Sequence, residues 1–245
     1  MTEEIKASAR RHLAADGANL SLRAVSRDLG MVSSAIYRYF ASRDELLTAL
    51  IIDAYNSIGE AAEAADATEA ADATVAADAT VDATVAVAVA VAVADRGDPV
   101  RRWLAVAHGV RTWALAHTPE YALIYGSPVP GYAAPADTIG PASRASLVMC
   151  RILADAQTGG LLRDDSQAPL PAALRSELKR VAELVPASVS EPTIARALIA
   201  WTQLFGTLSF ELFGQFNNII DTREAWFDHQ ARIMAAFIGL RSAHL

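Results

Sequence analysis

Ser21-Leu22-Arg23-Ala24-Val25-Ser26-Arg27-Asp28-Leu29-Gly30-Met31-Val32-Ser33-Ser34-Ala35-Ile36-Tyr37-Arg38-Tyr39-Phe40-Ala41-Ser42-Arg43 is the stretch that decides the fold. Val25 and Leu29 share one edge of a first short helix, and Ile36 and Phe40, four apart, share the matching edge of a second. Gly30 stands where a helix ends in a left-handed residue, and Met31 and Val32 complete a turn before Ser33 caps the next helix. The two helices therefore cross by burying those edges, as a helix-turn-helix. Left outside are Ser33, Ser34, Ala35, Tyr37, Arg38 and Tyr39, the small, hydroxyl-bearing or cationic types that suit a helix entering a DNA major groove. A third helix begins at Ser42-Arg43-Asp44-Glu45, a capping box, and buries Leu46, Leu47, Leu50 and Ile51. A preceding helix from Thr2 to Ala15 presents Ile5, Ala9 and Leu13 on one face and closes the bundle.

The order of a helix, Gly17, Leu20-Ser21-Leu22-Arg23, Gly30, Ile36-Tyr37-Arg38-Tyr39-Phe40, Arg43 and a leucine-rich helix resembles the N-terminal domain of tetracycline-repressor-like (TetR family) regulators, over about residues 5 to 52. Val32 departs from the family pattern, which commonly carries a capping serine there; Ser33 or Ser34 serves instead. The resemblance implies a base-facing set of Ser33, Ser34, Ala35 and Arg38, with Tyr37 at base or backbone. Ser21, Arg23, Tyr39 and Arg43 then suit phosphates, with a base as the other place for Arg23.

The 245-residue chain is 53% apolar, long enough for a small reading head plus a larger helical core, which predicts two domains. Its one cysteine, Cys150, excludes an internal disulfide framework and a thiolate zinc site, and reads as a small buried apolar residue. Charges begin at Glu3 and no apolar signal region follows, so a cytoplasmic location is expected. The net charge of −7 is concentrated: residues 60–95 hold eight acidic side chains and no Lys or Arg, and without them the balance is +1. The first fifty residues carry seven basic and six acidic groups. Attraction to phosphate must therefore come from a few placed cations.

Every residue from Glu60 to Asp95 is Ala, Val, Thr, Asp or Glu, and Ala-Ala-Asp-Ala-Thr recurs at 64, 70 and 76. A period of six matches neither helix nor strand, so no constant apolar face results, although alanine favours helix. Valine alternates with alanine from Val85 to Val93 in a β-like pattern. Residues 60–97 read as a low-complexity insertion, helical near its start and otherwise loosely ordered, with an interaction arm as the other reading. It separates a 1–59 head with its connecting helix from a 98–245 C-terminal domain.

Asp98-Pro99 opens the next helix with an acidic cap and a first-turn proline. Trp103, Val106, Val110, Trp113 and His117 share one stripe of it, with Leu104, His108, Arg111 and Leu115 on another face. The run from Trp103 through His108-Gly109 and Arg111-Thr112-Trp113 to His117-Thr118-Pro119-Glu120-Tyr121 resembles the WHG-type C-terminal domain of a subset of TetR family proteins, best over 99–127. That implies a ligand-sensing and dimerising helical domain. Further helices are expected from about Ala142 to Gln157, stopped by Gly159-Gly160, and from Pro171 to Leu184, stopped by Pro186. Ser190-Glu191-Pro192 starts another, with Leu198, Trp201, Phe205, Leu208, Leu212 and Phe216 in a stripe. Asp221-Thr222-Arg223-Glu224 caps the last, whose stripe is Trp226, His229, Ile233, Phe237 and Leu240. Two helices this apolar, near 192–217 and 222–240, predict an isologous homodimer. Two heads on a twofold axis then require a palindromic operator on double-stranded DNA, with half-sites about one helical turn apart.

The expected fold class is all-α, an N-terminal three-helix helix-turn-helix head plus connecting helix and a larger C-terminal helical ligand-binding and dimerisation domain. An effector pocket is expected inside the C-terminal domain, lined by Trp113, His117, Tyr121, Tyr125, Met149, Trp201 and Phe205, with the loop from Gly126 to Tyr132 as gate or rigid turn. His108 and His117 are nine residues apart, about 180° around one helix, and cannot share a metal. No Glu-x-x-His pair, P-loop or G-x-S-x-G elbow occurs, so no metal, cofactor, catalytic residue or membrane partner is expected. These features predict a dimeric DNA-binding regulator, by the family's usual mode a repressor released by a small apolar or aromatic ligand. The alternative is a ligand-independent regulator or an activator, with an enzyme disfavoured.

Overall fold

The computed structural model describes residues 1–16, 20–78, 97–163, 169–183, 185 and 189–242. It is all-α, with α1 Thr2–Asp16, α2 Leu22–Asp28, α3 Arg43–Asp78, α4 Pro99–Ala116, α5 Thr118–Tyr125, α6 Ile139–Thr158, α7 Ala172–Ala182, α8 Glu191–Leu212 and α9 Arg223–Ile238. Single 3₁₀ turns occur at Ile36–Arg38 and Ala136–Thr138, and the only extended pairing among the described residues is an isolated bridge between Leu162 and Leu240. The chain divides into two compact units, Met1–Gly59 with Trp113–Arg144 and Glu60–Thr112 with Ala145–Leu245. Gly17, the valine–alanine run from Val85 to Val93 and the helix stop at Pro186 lie outside the described residues.

In the first unit, the i, i+4 stripe Ile5, Ala9 and Leu13 of α1 joins Leu22, Val25, Ile36, Phe40, Leu46, Leu47 and Leu50 in one buried core. Lys6 and Arg10 of α1 both reach Asp53 of α3, at 2.9 and 2.6 Å. Val129 is buried in the same core, and Tyr132 packs on it with its hydroxyl 2.9 Å from Thr48 Oγ1. The Tyr132 N–H donates to the Val129 carbonyl. The loop from Gly126 to Tyr132 is thus a turn anchored at its far end by an apolar side chain and a hydroxyl pair.

In the second unit, Asp98 caps α4, its Oδ1 accepting from the N–H groups of Val100 at 2.8 Å and Arg101 at 3.2 Å. Trp103, Val106, Ala107 and Val110 are fully buried, and the Trp103 indole N–H donates to the Ala231 carbonyl at 2.8 Å. Ser190 caps α8, its side chain accepting from the Thr193 N–H. α9 begins where expected, yet Thr222 makes no side-chain cap bond; the Trp226 N–H on the Thr222 carbonyl and Arg223 Nε on the Ile220 carbonyl close its first turn instead. Its buried face is Phe227, Ala231, Met234, Ala235 and Ile238, one residue off the apolar stripe, which leaves Ile233 and Phe237 exposed.

The opening residues of the low-complexity segment are packed. α3 runs unbroken to Asp78, and Ala62 and Asp66, one turn apart, are both buried. A Cβ on Gly109 of α4 would lie 2.9 Å from the Ala65 Cβ and 3.1 Å from the Ala61 carbonyl oxygen, so glycine facing alanine permits a close helix crossing. Beside it Arg102, 4% exposed, holds both Asp66 oxygens, at 2.7 and 3.0 Å, and Asp155 of α6 at 2.8 Å. Burial opposes the guanidinium charge, but hydrogen bonds from the two carboxylates more than offset it and hold its pKa above the ordinary arginine value. This packed face is built from Ala61 and Ala62, which precede the repeat, and Ala65 and Asp66 of its first copy, rather than from large apolar groups.

Asp66→Ala strips a buried cation of its bidentate partner and is expected to cost about 3 kcal/mol. Urea unfolding at fixed protein concentration measures this, and a loss below about 1 kcal/mol would show that Asp155 and water suffice.

Candidate nucleic-acid interface

The turn after α2 is a Schellman motif. Gly30 adopts φ +64°, the Met31 N–H donates to the Ser26 carbonyl at 2.8 Å, and the Gly30 N–H donates to the Arg27 carbonyl at 3.1 Å. These bonds stop α2 and turn the chain toward the next segment.

That segment is tighter than the second short helix expected from the sequence. Residues 33–35 form a turn and Ile36–Arg38 a single 3₁₀ turn. Ala35, Arg38 and Tyr39 donate to carbonyls three residues back, and only the Phe40 N–H makes an α-type bond, to Ile36. Ser33 does not cap it: the Val32 carbonyl accepts the first bond, and Ser33 Oγ lies 3.5 Å from Ser26 Oγ. Val32 brings no oxygen where a cap would stand, and buried Ile36 and Phe40 pin both ends of a segment too short for a regular helix. α3 then opens with the Glu45 N–H on Ser42 Oγ at 3.1 Å, while Glu45 Oε2 accepts from the Ala41 N–H at 2.6 Å, one residue earlier than in a standard capping box.

Ser21, Arg23, Ser33, Ser34, Tyr37, Arg38 and Tyr39 are exposed, and Ala35 and Arg43 are half-buried. Among the described residues no ion pair holds Arg23 or Arg38, nor Arg27, an exposed α2 cation that no motif marks. Its only sequence signal is its place two residues beyond buried Val25, on the opposite side of the helix. Arg43 is partly committed to the fold, since its Nε donates to the Leu20 carbonyl at 3.1 Å and so splints the approach to α2 against the start of α3.

The seven aromatic and sulfur-bearing pocket candidates fall in both units. In the first, Trp113 and His117 stack at 5.2 Å and 18°, and the Trp113 indole N–H donates to Ser57 Oγ at 2.8 Å. Tyr121 is fully buried 5.2 Å from Tyr125, which meets Tyr55 edge-on at 6.1 Å. Burial pushes the Tyr125 phenol well above the ordinary tyrosine range. Trp113 and His117 also wall a cavity of about 280 Å³ together with Arg10, Asp53, Ala54, Ser57 and Glu120. In the second unit Trp201 meets Phe205 edge to face at 4.9 Å and 65°, and Met149 is buried. Among the described residues no group of His, Cys, Asp and Glu is placed to hold a metal, and no helix is long and apolar enough to cross a membrane.

The model for bacterial regulatory proteins of the tetR family matches residues 5–50, and that for the tetracyclin repressor-like C-terminal domain matches residues 103–234. The HTH-type transcriptional regulator Rv1816 of Mycobacterium tuberculosis is 35% identical over 239 residues, spanning 94% of this chain and 88% of its own. HTH-type transcriptional regulator Mb1846 of Mycobacterium bovis matches to the same extent. Among solved structures, SCO4313 superposes with a TM-score of 0.69 at 30% identity, covering 96% of this chain and 95% of that one. A Rhodococcus sp. RHA1 protein shares the fold, with a TM-score of 0.63 at 20% identity, over 98% and 94% of the two chains.

A Cβ on Gly30 meets nothing within 4 Å, so Gly30→Ala costs only the left-handed backbone, about 1 kcal/mol in denaturant unfolding. Gly30→Asn is expected to cost less, because asparagine tolerates that conformation.

Proposed function

Because the chain belongs to the TetR family of transcriptional regulators, and is thus a DNA-binding regulator, we propose that it acts in the cytoplasm as a homodimeric repressor, without catalysis, that a small apolar or aromatic ligand releases from a palindromic operator. The observation that carries this reading is the exposure of Arg23 on α2 and of Arg38, neither held by an ion pair among the described residues, with Arg38 between exposed Tyr37 and Tyr39 on a short segment anchored by buried Ile36 and Phe40. Ser33, Ser34, Ala35 and Arg38 face bases, Tyr37 reaches base or backbone, and Ser21, Arg23, Tyr39 and Arg43 hold phosphates.

Dimerisation is supported by Leu198, Ile199, Phe210 and Phe213 of α8 and the residue after it, and Ile233 and Phe237 of α9, all 42 to 55% exposed. Covering a few hundred Å² of such surface stabilises by several kcal/mol at roughly 25 cal/mol per Å² before association entropy is subtracted. Ligand recognition draws on Trp113, His117, Tyr121 and Tyr125 in one unit and Met149, Trp201 and Phe205 in the other.

The operator is obtained by selection from random-sequence DNA, and its release is followed by anisotropy while apolar and aromatic compounds are titrated against tryptophan fluorescence. A compound that quenches fluorescence and frees DNA supports the reading; a dimer whose DNA affinity never responds overturns the ligand arm. Arg38→Ala is expected to weaken operator binding more than random-DNA binding. Arg43→Ala should weaken both alike and lower the salt slope by about one unit.

A further inference from the structure

The cavity in the first unit has a charge pattern that the regulator reading does not use. Its walls come from α1, α3, the last turn of α4 and the first turn of α5. On one side Lys6 lies 2.8 Å from Glu3 and 2.9 Å from Asp53, while Arg10 lies 2.6 Å from the same Asp53. Two cations and two carboxylates there cancel. Glu120, half-buried and also lining the cavity, has no hydrogen bond or ion pair among the described residues. The recess therefore carries one uncompensated negative charge, where partial burial strengthens attraction to a cation relative to open water.

The neighbouring groups add direction. His117 Nδ1 lies 3.0 Å from the Trp113 carbonyl, which only accepts, so Nδ1 carries the proton. A neutral ring then leaves Nε2 as an acceptor. With its indole N–H committed to Ser57, Trp113 offers the cavity only ring surface. A carboxylate, an imidazole acceptor and an aromatic wall match a flat or short ligand that brings both positive charge and N–H donors.

We propose that this cavity is a binding site for a small organic cation, an amidinium or primary ammonium, with Glu120 as its counter-ion, His117 Nε2 as a second acceptor and Trp113 as the apolar wall. The cation would share Trp113 and His117 with the ligand recognition proposed above and add Glu120, a charge an apolar ligand does not use; the site stands whether or not occupancy alters DNA binding.

Isothermal titration of the full-length protein with benzamidine tests it, with neutral benzamide as the isosteric control. Saturable binding of one benzamidine per chain, at least about tenfold tighter than benzamide, is expected from a charge-assisted contact. Glu120→Gln keeps the shape and removes the charge, and should weaken benzamidine about tenfold or more with an unchanged circular dichroism spectrum and melting temperature. Equal affinity of benzamidine and benzamide, equal affinity in Glu120→Gln, or no saturable heat up to about 10 mM would each overturn the proposal. The benzamide comparison uses only the parent protein, so it decides the matter even if the variant misfolds.

Discussion

A guanidinium buried between two carboxylates gives the longest helix of this protein its place. Arg102 can reach Asp66 and Asp155 only because Gly109 and the α3 alanines at 61 and 65 bring α4 close. α3 is one continuous element that carries Leu46, Leu47 and Leu50 at its start and Asp66 further along. A fixed Asp66 therefore sets how the second-unit part of α3, from residue 60 on, crosses α4. Desolvating three charges is costly, and such a cluster contributes more to a unique helix register than to net stability.

The head itself relies on fit rather than on bulk charge. Asp53 engages Lys6 and Arg10, and Asp28 engages His12 at 2.6 Å, so several of its charges are internal. What faces outward is a small set of cations, Arg23 and Arg27 on α2 and Arg38 on the segment held from beneath by Ile36 and Phe40. In the proposed DNA-binding role, short side chains at 33–35 would limit the number of base contacts, and the single 3₁₀ turn after them would keep the footprint narrow. A dimer that pairs two such heads multiplies modest contacts into a specific one, which is consistent with the apolar surface left on α8 and α9.

Local signals were legible wherever one residue type has one conformational use. Gly30 marked a left-handed stop, Ser42 and Ser190 marked helix starts, and Asp98 with Pro99 marked another, because each acts through backbone groups within a few positions. The same logic overreached at Thr222 and Ser33, where a capping residue is present and the backbone takes a different partner. Asp66 looked like one more acid in a repeat, and Glu120 like a first-turn helix acid; neither has a local feature that reveals its neighbours.

The amino-acid sequence by itself determined the all-α class, the helix-turn-helix and the presence of helices α8 and α9, since helical period and capping are written in consecutive residues, while which face of each is buried was left to packing. Only the tertiary structure decided that Asp66 pairs with Arg102, that Val129 and Tyr132 lock a loop into the head core, and that Glu120 lines one cavity with Arg10 and Asp53. These contacts join residues tens of positions apart. Their partners are chosen by which helices cross and how closely, a property of packing that no single segment encodes.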